Sequence, residues 1–232
     1  MLKCFNPVVI HSPGFHLPSS QRWFHLVNSK CKKSFQLEDA TIITWNNKKE
    51  KGPLEESLDS MSVEYIVLGK DIHDWRNVIK IMLTDEGLKN ISTKYVIGLD
   101  SCDVLVMDDP NKIVERFKKM DCRMLFNSQS CCYPKLDKNG NQYDFVEFEN
   151  SLNKGSYDNC YLNAGAWIGE TDFCKQFYKK CKDIFENNDF DKEDICWTIS
   201  DQAYIRKAFM LFSDFASLDY DNKIFQVIED SI

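Results

Sequence analysis

Residues 95–103 read Tyr-Val-Ile-Gly-Leu-Asp-Ser-Cys-Asp, and this stretch decides the fold. Its first five residues form a nearly continuous apolar run, which is typical of a parallel strand buried on both faces of a sheet. The run stops at Asp100, and a second carboxylate follows at Asp103. In open α/β sheets, ligands bind beyond the carboxyl ends of the strands, so this strand end is where a site is expected.

Short apolar segments alternate with helical patterns on both sides of this stretch. This alternation predicts an α/β fold with a Rossmann-type mixed, mostly parallel sheet flanked by helices. Polar residues at 46–56 and 135–157 are predicted to form loops. The predicted strands cover residues 7–11, 41–45, 63–68, 95–99, 123–126 and 224–228, and the predicted helices cover 19–35, 73–83, 110–117, 171–185 and 200–212.

Composition excludes several classes of protein. The 232 residues are expected to form a single domain over 1–232, either complete or shortened at its C-terminus. Lys and Arg total 29 against 36 Asp and Glu, a net charge of −7, which argues against nucleic-acid binding because that requires clustered basic residues. No apolar run approaches the roughly 20 residues of a membrane span.

Residues 1–10 lack the long apolar region of a signal peptide, so the sequence as written predicts a cytoplasmic protein. The secretory pathway is the alternative if a leader has been removed. Ten cysteines are present without any C-x-x-C pair, which excludes the common zinc and thioredoxin motifs. They are expected to be free thiols packed as small apolar residues, with disulfides in an oxidising compartment as the alternative.

Asp100 and Asp103 are candidate ligands of a divalent metal ion. The chain turns at a strand end, so both carboxylates can converge on one point. Mg²⁺ and Mn²⁺ prefer such oxygen ligands and commonly bridge them to phosphate oxygens. The alternative interpretation is that one aspartate caps a turn while the other is solvated.

Two further stretches can bring the backbone close to a ligand. In residues 162–169, Gly165 permits close approach and the Asn163 amide offers donors and acceptors, although on these residues alone tight packing of a strand against a helix is the favoured alternative. Asp201 and Gln202 follow Ser200 at a predicted helix start, where backbone N–H groups favour anions. Asp201 can also be an ordinary first-turn carboxylate that complements the helix dipole.

In their order and spacing, these motifs resemble the glycosyltransferase domain of the procollagen lysyl hydroxylase and procollagen glycosyltransferase family, which has the GT-A fold. The resemblance spans roughly residues 63–228, and residues 1–60 match it loosely. The matching stretches are Val67-Leu68-Gly69 with Trp75, residues 96–106 (VIGLDSCDVLV), residues 125–128 through Tyr133-Pro134, residues 161–169 (YLNAGAWIG), Asp201-Gln202, and Leu218-Asp219 with Ile224-Phe225-Gln226.

The resemblance implies transfer of a hexose, glucose or galactose, from a UDP-sugar to an acceptor hydroxyl. A protein hydroxylysine or a glycan is the expected acceptor. The resemblance also implies that Asp100 and Asp103 bind Mn²⁺, or Mg²⁺, and that this metal ion holds the UDP diphosphate. It also places Asn163 and Gly165 near the sugar.

The resemblance makes Asp201 the candidate catalytic residue, which would either deprotonate the acceptor hydroxyl or stabilise an oxocarbenium-like transition state. Gln202 is expected beside the donor. Cys102 stands where the family usually has an aromatic residue that can stack on uracil. Binding of the base is therefore expected to be weaker or to use another residue.

Two features depart from the family pattern. The acidic run before the D-Q motif is replaced by Thr-Ile-Ser at residues 198–200. The family's later histidine, which completes the metal site, has no counterpart, because His11, His16, His25 and His73 all lie in the first third of the chain. Either the chain is truncated, a different ligand completes the site, or activity is reduced or lost. The alternative function is therefore a catalytically weak or inactive domain of the same fold that binds sugar nucleotides or serves in interactions.

Overall fold

The computed structural model describes residues 7–13, 33–137, 139–153, 157–187 and 200–228. Nine strands and six helices lie within this part of the chain. The strands are β1 Val9–His11, β2 Ala40–Trp45, β3 Tyr65–Leu68, β4 Tyr95–Asp100, β5 Val104–Val106, β6 Met124–Gln129, β7 Tyr161–Glu170, β8 Ala216–Leu218 and β9 Phe225–Val227. The helices are α1 Pro53–Ser60, α2 Ile79–Leu88, α3 Asn111–Phe117, α4 Asp144–Leu152, α5 Thr171–Glu186 and α6 Asp201–Leu211.

Six strands form the main sheet in the order β3-β2-β4-β7-β6-β8. Strands β3, β2, β4, β6 and β8 share one direction, and β7 runs antiparallel between β4 and β6. The predicted mixed, mostly parallel sheet is thus confirmed. Strand β4, the predicted buried strand, lies inside the sheet and ends at Asp100.

Apolar side chains cover both faces of this sheet because neighbouring residues along a strand point to opposite sides. Ile43 and Val96 belong to a core that includes residues of α2, α4, α5 and α6. Ile42 and Ile97 belong to a second core that includes residues of α1 and α3. The sheet is therefore the middle of three layers, as expected when helices flank a mostly parallel sheet.

A three-stranded sheet in the order β5-β1-β9 lies beside the end of β4. Strand β1 pairs antiparallel with β5 and parallel with β9. In the first of these ladders His11 lies opposite Val104, the residue directly after Asp103. The small sheet thus brings an N-terminal strand to the turn that carries the predicted metal ligands.

Two predicted loops contain helices, so those predictions are wrong. Helix α1 begins at Pro53 within the predicted loop 46–56, because Pro favours the first helical position and Glu55 accepts a 3.1 Å hydrogen bond from the Gly52 N–H. Helix α4 lies within the predicted loop 135–157 and buries Phe145 and Val146. The strands β5 and β8, three residues each, and the ten-residue strand β7 were not predicted.

Several boundaries also differ from the prediction. Helix α2 begins at Ile79, whereas the periodicity predicts a start at His73. Helix α6 begins directly after Ser200, as predicted. The helix predicted for residues 19–35 falls largely outside the described residues. None of the seven described cysteines forms a disulfide within the described part of the chain. Cys160, Cys174 and Cys181 are buried, as expected of thiols packed as apolar residues, whereas Cys102 and Cys131 are exposed.

Candidate metal and catalytic site

Asp100, Asp103 and His11 form a compact group of metal-ligand side chains. One ligand atom from each residue can be chosen such that all three lie within 4.8 Å of one another. The structure therefore brings the two predicted aspartates together. It also adds a histidine that the sequence did not single out.

Strand ends position all three side chains. Asp100 is the last residue of β4, Asp103 directly precedes β5, and His11 is the last residue of β1. The Ser12 N–H donates a 2.9 Å hydrogen bond to the carbonyl of Asp103, which fixes β1 against the turn. The cluster therefore rests on sheet hydrogen bonding.

Two atoms of this cluster are buried without a hydrogen-bond partner among the described residues. They are Nε2 of His11 and Oδ1 of Asp103, which lie 3.5 Å apart. A buried polar atom without a partner is costly, and native proteins usually pair such atoms with protein groups, water or an ion. Carboxylate oxygens and an imidazole nitrogen also suit Mn²⁺, so the residues present fit a divalent cation.

Lys80 occupies the other side of Asp100 and links it to Asp201. Its Nζ lies 2.9 Å from Oδ1 of Asp100 and 3.1 Å from Oδ2 of Asp201. Burial by itself would lower the pKa of Lys80, but the two carboxylates outweigh this effect and raise it above its ordinary value. Lys80 therefore carries a full positive charge within the cluster.

The cluster has an excess of negative charge. Burial raises the pKa of Asp100 to about 6, and Asp103 and Asp201 add to this effect while Lys80 opposes it. Three carboxylates face a single lysine ammonium among these residues. A divalent cation would offset the remaining charge, which is the electrostatic reason for expecting one here.

Glu55 holds the turn between the two predicted metal ligands. Its Oε1 accepts hydrogen bonds from Oγ of Ser101 at 2.8 Å, from the Gly52 N–H and from the side chain of Asn46. Burial would raise the pKa of Glu55, but these donors outweigh it and hold the pKa below its ordinary value. An ionised, 1% exposed carboxylate thus positions the Asp100–Asp103 turn.

Asn163 and Gly165 lie in an irregular part of β7 next to the cluster. The ladder between β6 and β7 shifts register there, pairing Asn127 with Asn163 but Phe126 with Trp167. The Asn163 amide is used internally, accepting from the Gly165 N–H at 2.8 Å and donating to Gln129 at 2.5 Å. Asn163 therefore shapes this segment through its own side chain.

Gly165 lies against the cluster itself. A Cβ at this position would lie 2.3 Å from Cε1 of His11 and 3.0 Å from Oδ2 of Asp100. Such contacts are too short for any residue with a side chain. Glycine here permits close approach to His11 and Asp100, and the backbone of β7 forms one wall of the cluster. The predicted approach to a ligand stays a prediction.

The remaining predicted site residues have different surroundings. Asp201 is the first residue of α6, 6% exposed, and joins the cluster through Lys80. The Gln202 amide accepts from the Ala164 N–H at 3.0 Å and donates to the carbonyl of Tyr133, so it ties two backbone segments together. Cys102 is exposed between the two aspartates.

Sequence reasoning missed His11, Lys80 and Glu55. His11 ends an apolar strand with a polar residue, which is the same signal that identified Asp100. Lys80 interrupts the apolar segment 78–83 with a charge, a signal of a buried ion pair. Glu55 carried no signal, because its partners lie on the turn after β4.

The fold and this site define an α/β domain with an acidic cluster at the carboxyl end of a central parallel strand. A family model described as the PLOD GT domain matches residues 54–232. The chain belongs to this glycosyltransferase domain family, and the resemblance stated from the motifs is confirmed. A glycosyltransferase domain implies a nucleotide-sugar donor.

Procollagen-lysine,2-oxoglutarate 5-dioxygenase of Drosophila melanogaster is a related protein, 29% identical over 143 residues. The match covers 60% of this chain and 17% of that protein, so the chain spans a small part of this relative. The crystal structure of 4-diphosphocytidyl-2C-methyl-D-erythritol synthase from Anaerococcus prevotii aligns with a TM-score of 0.43 and 13% identity, over 85% of this chain and 90% of that one. Among the described residues, no helix combines the length and apolar character needed to cross a membrane.

Proposed function

We propose that this domain is a metal-dependent hexosyltransferase that moves glucose or galactose from a UDP-sugar to an acceptor hydroxyl. The observation that carries the proposal is the convergence of Asp100 and Asp103 at the carboxyl end of β4 in a member of a glycosyltransferase family. In this proposal these two residues bind Mn²⁺, or Mg²⁺, at the diphosphate of the donor.

The chemistry requires that the UDP leaving group be neutralised as it departs. A bound divalent ion supplies this neutralisation. The chain's own part is to orient that charge, and the hydrogen bond from Ser101 to Glu55 holds the two aspartates in a fixed turn. Gly165 lets the backbone of β7 pack directly against His11 and Asp100, which supports the geometry of the proposed metal site.

Asp201 is the proposed catalytic residue. Lys80 lies 3.1 Å from its carboxylate and holds it in the cluster, where in this proposal Asp201 accepts a proton from an acceptor hydroxyl or stabilises positive charge at the sugar. Lys80 therefore acts as a positioning residue for both Asp100 and Asp201. It reaches the two carboxylates from helix α2.

The proposed acceptor is suggested by the name of a related protein, because the site geometry does not identify it. The related Drosophila protein is named for acting on procollagen lysine. Hydroxylysine in a protein is accordingly our first candidate acceptor, and a glycan hydroxyl is the second. Sugar transfer to a peptide that contains hydroxylysine, compared with the same peptide containing lysine, distinguishes transfer to hydroxylysine from simple hydrolysis of the donor.

The test is release of UDP from UDP-glucose and UDP-galactose with Mn²⁺, with Mg²⁺ and with a chelator. We expect turnover with one of the two sugars, stimulated by metal and abolished in Asp103→Asn. The matched control is Asp214→Asn, which alters an exposed aspartate in the turn after α6. Turnover that is equal with and without chelator would contradict the proposal.

The second candidate is a domain that binds sugar nucleotides with weak or no transfer. It is favoured by the ion pairs of Lys80 with Asp100 and Asp201, which already neutralise much of the charge of both carboxylates. It is also favoured by the Gln202 amide, which is committed to the backbone. Metal-dependent UDP binding without sugar release would support this candidate over the first.

A further inference from the structure

We infer that Nε2 of His11 is the third protein ligand of the metal ion bound by Asp100 and Asp103. The inference rests on the proposed function for the existence of that ion. The family model matches residues 54–232, so His11 lies outside the matched region. In this assignment the N-terminal strand completes a metal site whose two carboxylates belong to the family region.

The separations within the cluster suit a single ion. Ligand atoms about 2.1 Å from an octahedral ion lie roughly 3.0 Å apart in neighbouring positions and roughly 4.2 Å apart in opposite positions. Nε2 of His11 and Oδ1 of Asp103 are 3.5 Å apart, and the full set of three atoms fits within 4.8 Å. Small side-chain adjustments of a few tenths of an ångström therefore suffice for the three atoms to share one ion.

The burial of His11 points to a ligand. Its side chain is 2% exposed, and Nε2 has no hydrogen-bond partner among the described residues. Oδ1 of Asp103, the atom it approaches, lacks a partner in the same way. Without an ion these two atoms have only their long 3.5 Å contact with each other, whereas a shared cation satisfies both.

Strand pairing and close packing hold the imidazole ring of His11 in place. Strand β1 is paired on both edges, with β5 and with β9, and the Ile228 N–H donates a 2.8 Å hydrogen bond to the His11 carbonyl. Gly165 packs directly on the ring, where even a methyl group would overlap with Cε1. The ligand atom is therefore presented by rigid strands, which favours tight binding of an ion.

Asn127 supplies the outer partner that a metal-binding histidine usually has. Nδ2 of Asn127 lies 3.2 Å from Nδ1 of His11, and its Oδ1 has no hydrogen-bond partner among the described residues, so exchanging the two amide atoms gives the oxygen a partner. With the amide oxygen turned toward the ring, Nδ1–H donates to it and Nε2 retains its lone pair for the ion. This arrangement matches the hydrogen-bonded imidazoles of known metal sites.

The test uses the tag-free full chain and Mn²⁺ alone as the probe. Calorimetry measures Mn²⁺ affinity, and electron spin echo envelope modulation detects ¹⁴N of a directly bound imidazole. We expect the wild type to show this coupling. His11→Gln should lose it and bind Mn²⁺ at least about 10-fold more weakly, since losing even an outer partner costs this much. His73→Gln, which alters an exposed histidine, is the matched control and should behave as the wild type.

A variant that leaves His11 intact keeps the inference testable if His11→Gln does not fold. The chain has four histidines, so His16→Gln/His25→Gln/His73→Gln retains His11 alone. Retained ¹⁴N coupling in this triple variant supports the assignment. Bound Mn²⁺ without ¹⁴N coupling overturns it while leaving the metal of the proposed function in place. An absence of any Mn²⁺ binding overturns both, and coupling without sugar transfer overturns only the transfer reaction.

Discussion

Lys80 and Asp201 lie on different helices and form an ion pair in which Nζ is 3.1 Å from Oδ2. Because Lys80 also contacts Asp100, the pair joins the proposed catalytic residue to the proposed metal site. The sequence separates Asp201 from the metal ligands by a hundred residues. The fold places all of them in one electrostatic cluster.

We predict that Asp201→Asn slows turnover more than it weakens donor binding. The asparagine oxygen can still accept from Lys80, so the cluster should keep its shape, but the charge that accepts a proton is lost. Sugar transfer or donor hydrolysis should slow by roughly 10²-fold or more, the scale of a general acid–base contribution. UDP-sugar affinity should stay within a few-fold of wild type because the interaction acts mainly in the transition state.

Steady-state kinetics and calorimetry on the same preparation check this prediction. Equal losses of affinity and rate would place Asp201 among the donor-binding residues. Full activity would leave it as an ordinary first-turn carboxylate that complements the dipole of α6.

We predict that Asp103→Ala abolishes Mn²⁺-dependent UDP binding and leaves the fold intact. Oδ1 of Asp103 has no hydrogen-bond partner among the described residues, so its removal should cost little stability. Calorimetric titration of UDP in the presence of Mn²⁺ measures the effect, and thermal denaturation checks folding. An unchanged UDP affinity would show that the assignment of Asp103 to the metal is wrong.

We predict that Cys102→Tyr tightens UDP binding. Cys102 is exposed between the two aspartates, at the position where the family resemblance implies an aromatic residue. Stacking of a base on an aromatic side chain contributes roughly 1–3 kcal/mol in single-stranded nucleic-acid complexes, so a gain of about tenfold is expected. Cys102→Ser is the control and should bind UDP as the wild type does. A folded tyrosine variant without any gain would mean that the base binds elsewhere.

The sequence predicted those features whose causes are local. The apolar run that became β4 and the helix start after Ser200 depend on neighbouring residues, and both were found where expected. The Asp100 and Asp103 pair was predictable because strand ends of a parallel sheet collect functional residues. Gly165 was predicted as a point of close approach to a ligand, and the structure shows close approach to His11 and Asp100 instead.

Features that depend on distant partners were not predictable. The polar character of residues 135–157 predicted a loop, yet the charge of Glu149 is paired with Arg206 from α6 and helix α4 is buried along one side. Glu55 likewise bonds to Ser101 on another element. His11 became part of the site only through the register of β1 with β5. Each case requires the tertiary contact to be known before the residue can be interpreted.

We predict that Glu55→Gln destabilises the protein in a pH-dependent manner. The ionised carboxylate accepts three hydrogen bonds, so its loss should cost about 1–3 kcal/mol at neutral pH. The pKa of Glu55 is lower in the folded protein than its ordinary value of 4.5, so this stability is present above that value. It is lost as the pH falls through the lower, folded pKa.

Urea denaturation of wild type and variant between pH 3 and 7 measures this difference. The gap in unfolding free energy should be constant near neutrality and shrink below about pH 4.5. The control is Glu56→Gln, which alters an exposed neighbour and should have the same unfolding free energy as wild type across this pH range. A gap that does not depend on pH would mean that the charge of Glu55 is not what holds the turn.

Arg206 and Glu149 form a fully buried ion pair, and we predict that breaking it strongly destabilises the protein. Both side chains are 0% exposed, with hydrogen bonds of 2.8 and 2.7 Å between the guanidinium and the two carboxylate oxygens. The guanidinium also lies 4.2 Å from the ring centroid of Phe145. Burial raises the pKa of Glu149 and Arg206 opposes that effect, so removal of the arginine leaves a buried acid without its counter-charge.

Arg206→Met should therefore lower the free energy of unfolding by about 3–5 kcal/mol, measured by urea denaturation. The double variant Glu149→Leu/Arg206→Met should recover most of this loss, because it removes both charges and keeps apolar volume. Lys207→Met, which breaks the more exposed pair with Asp144 on the same helices, should cost at most about 1 kcal/mol. If the double variant is no more stable than Arg206→Met, the cost comes from lost packing on Phe145 and the lost bond to the Pro134 carbonyl rather than from the unpaired carboxylate.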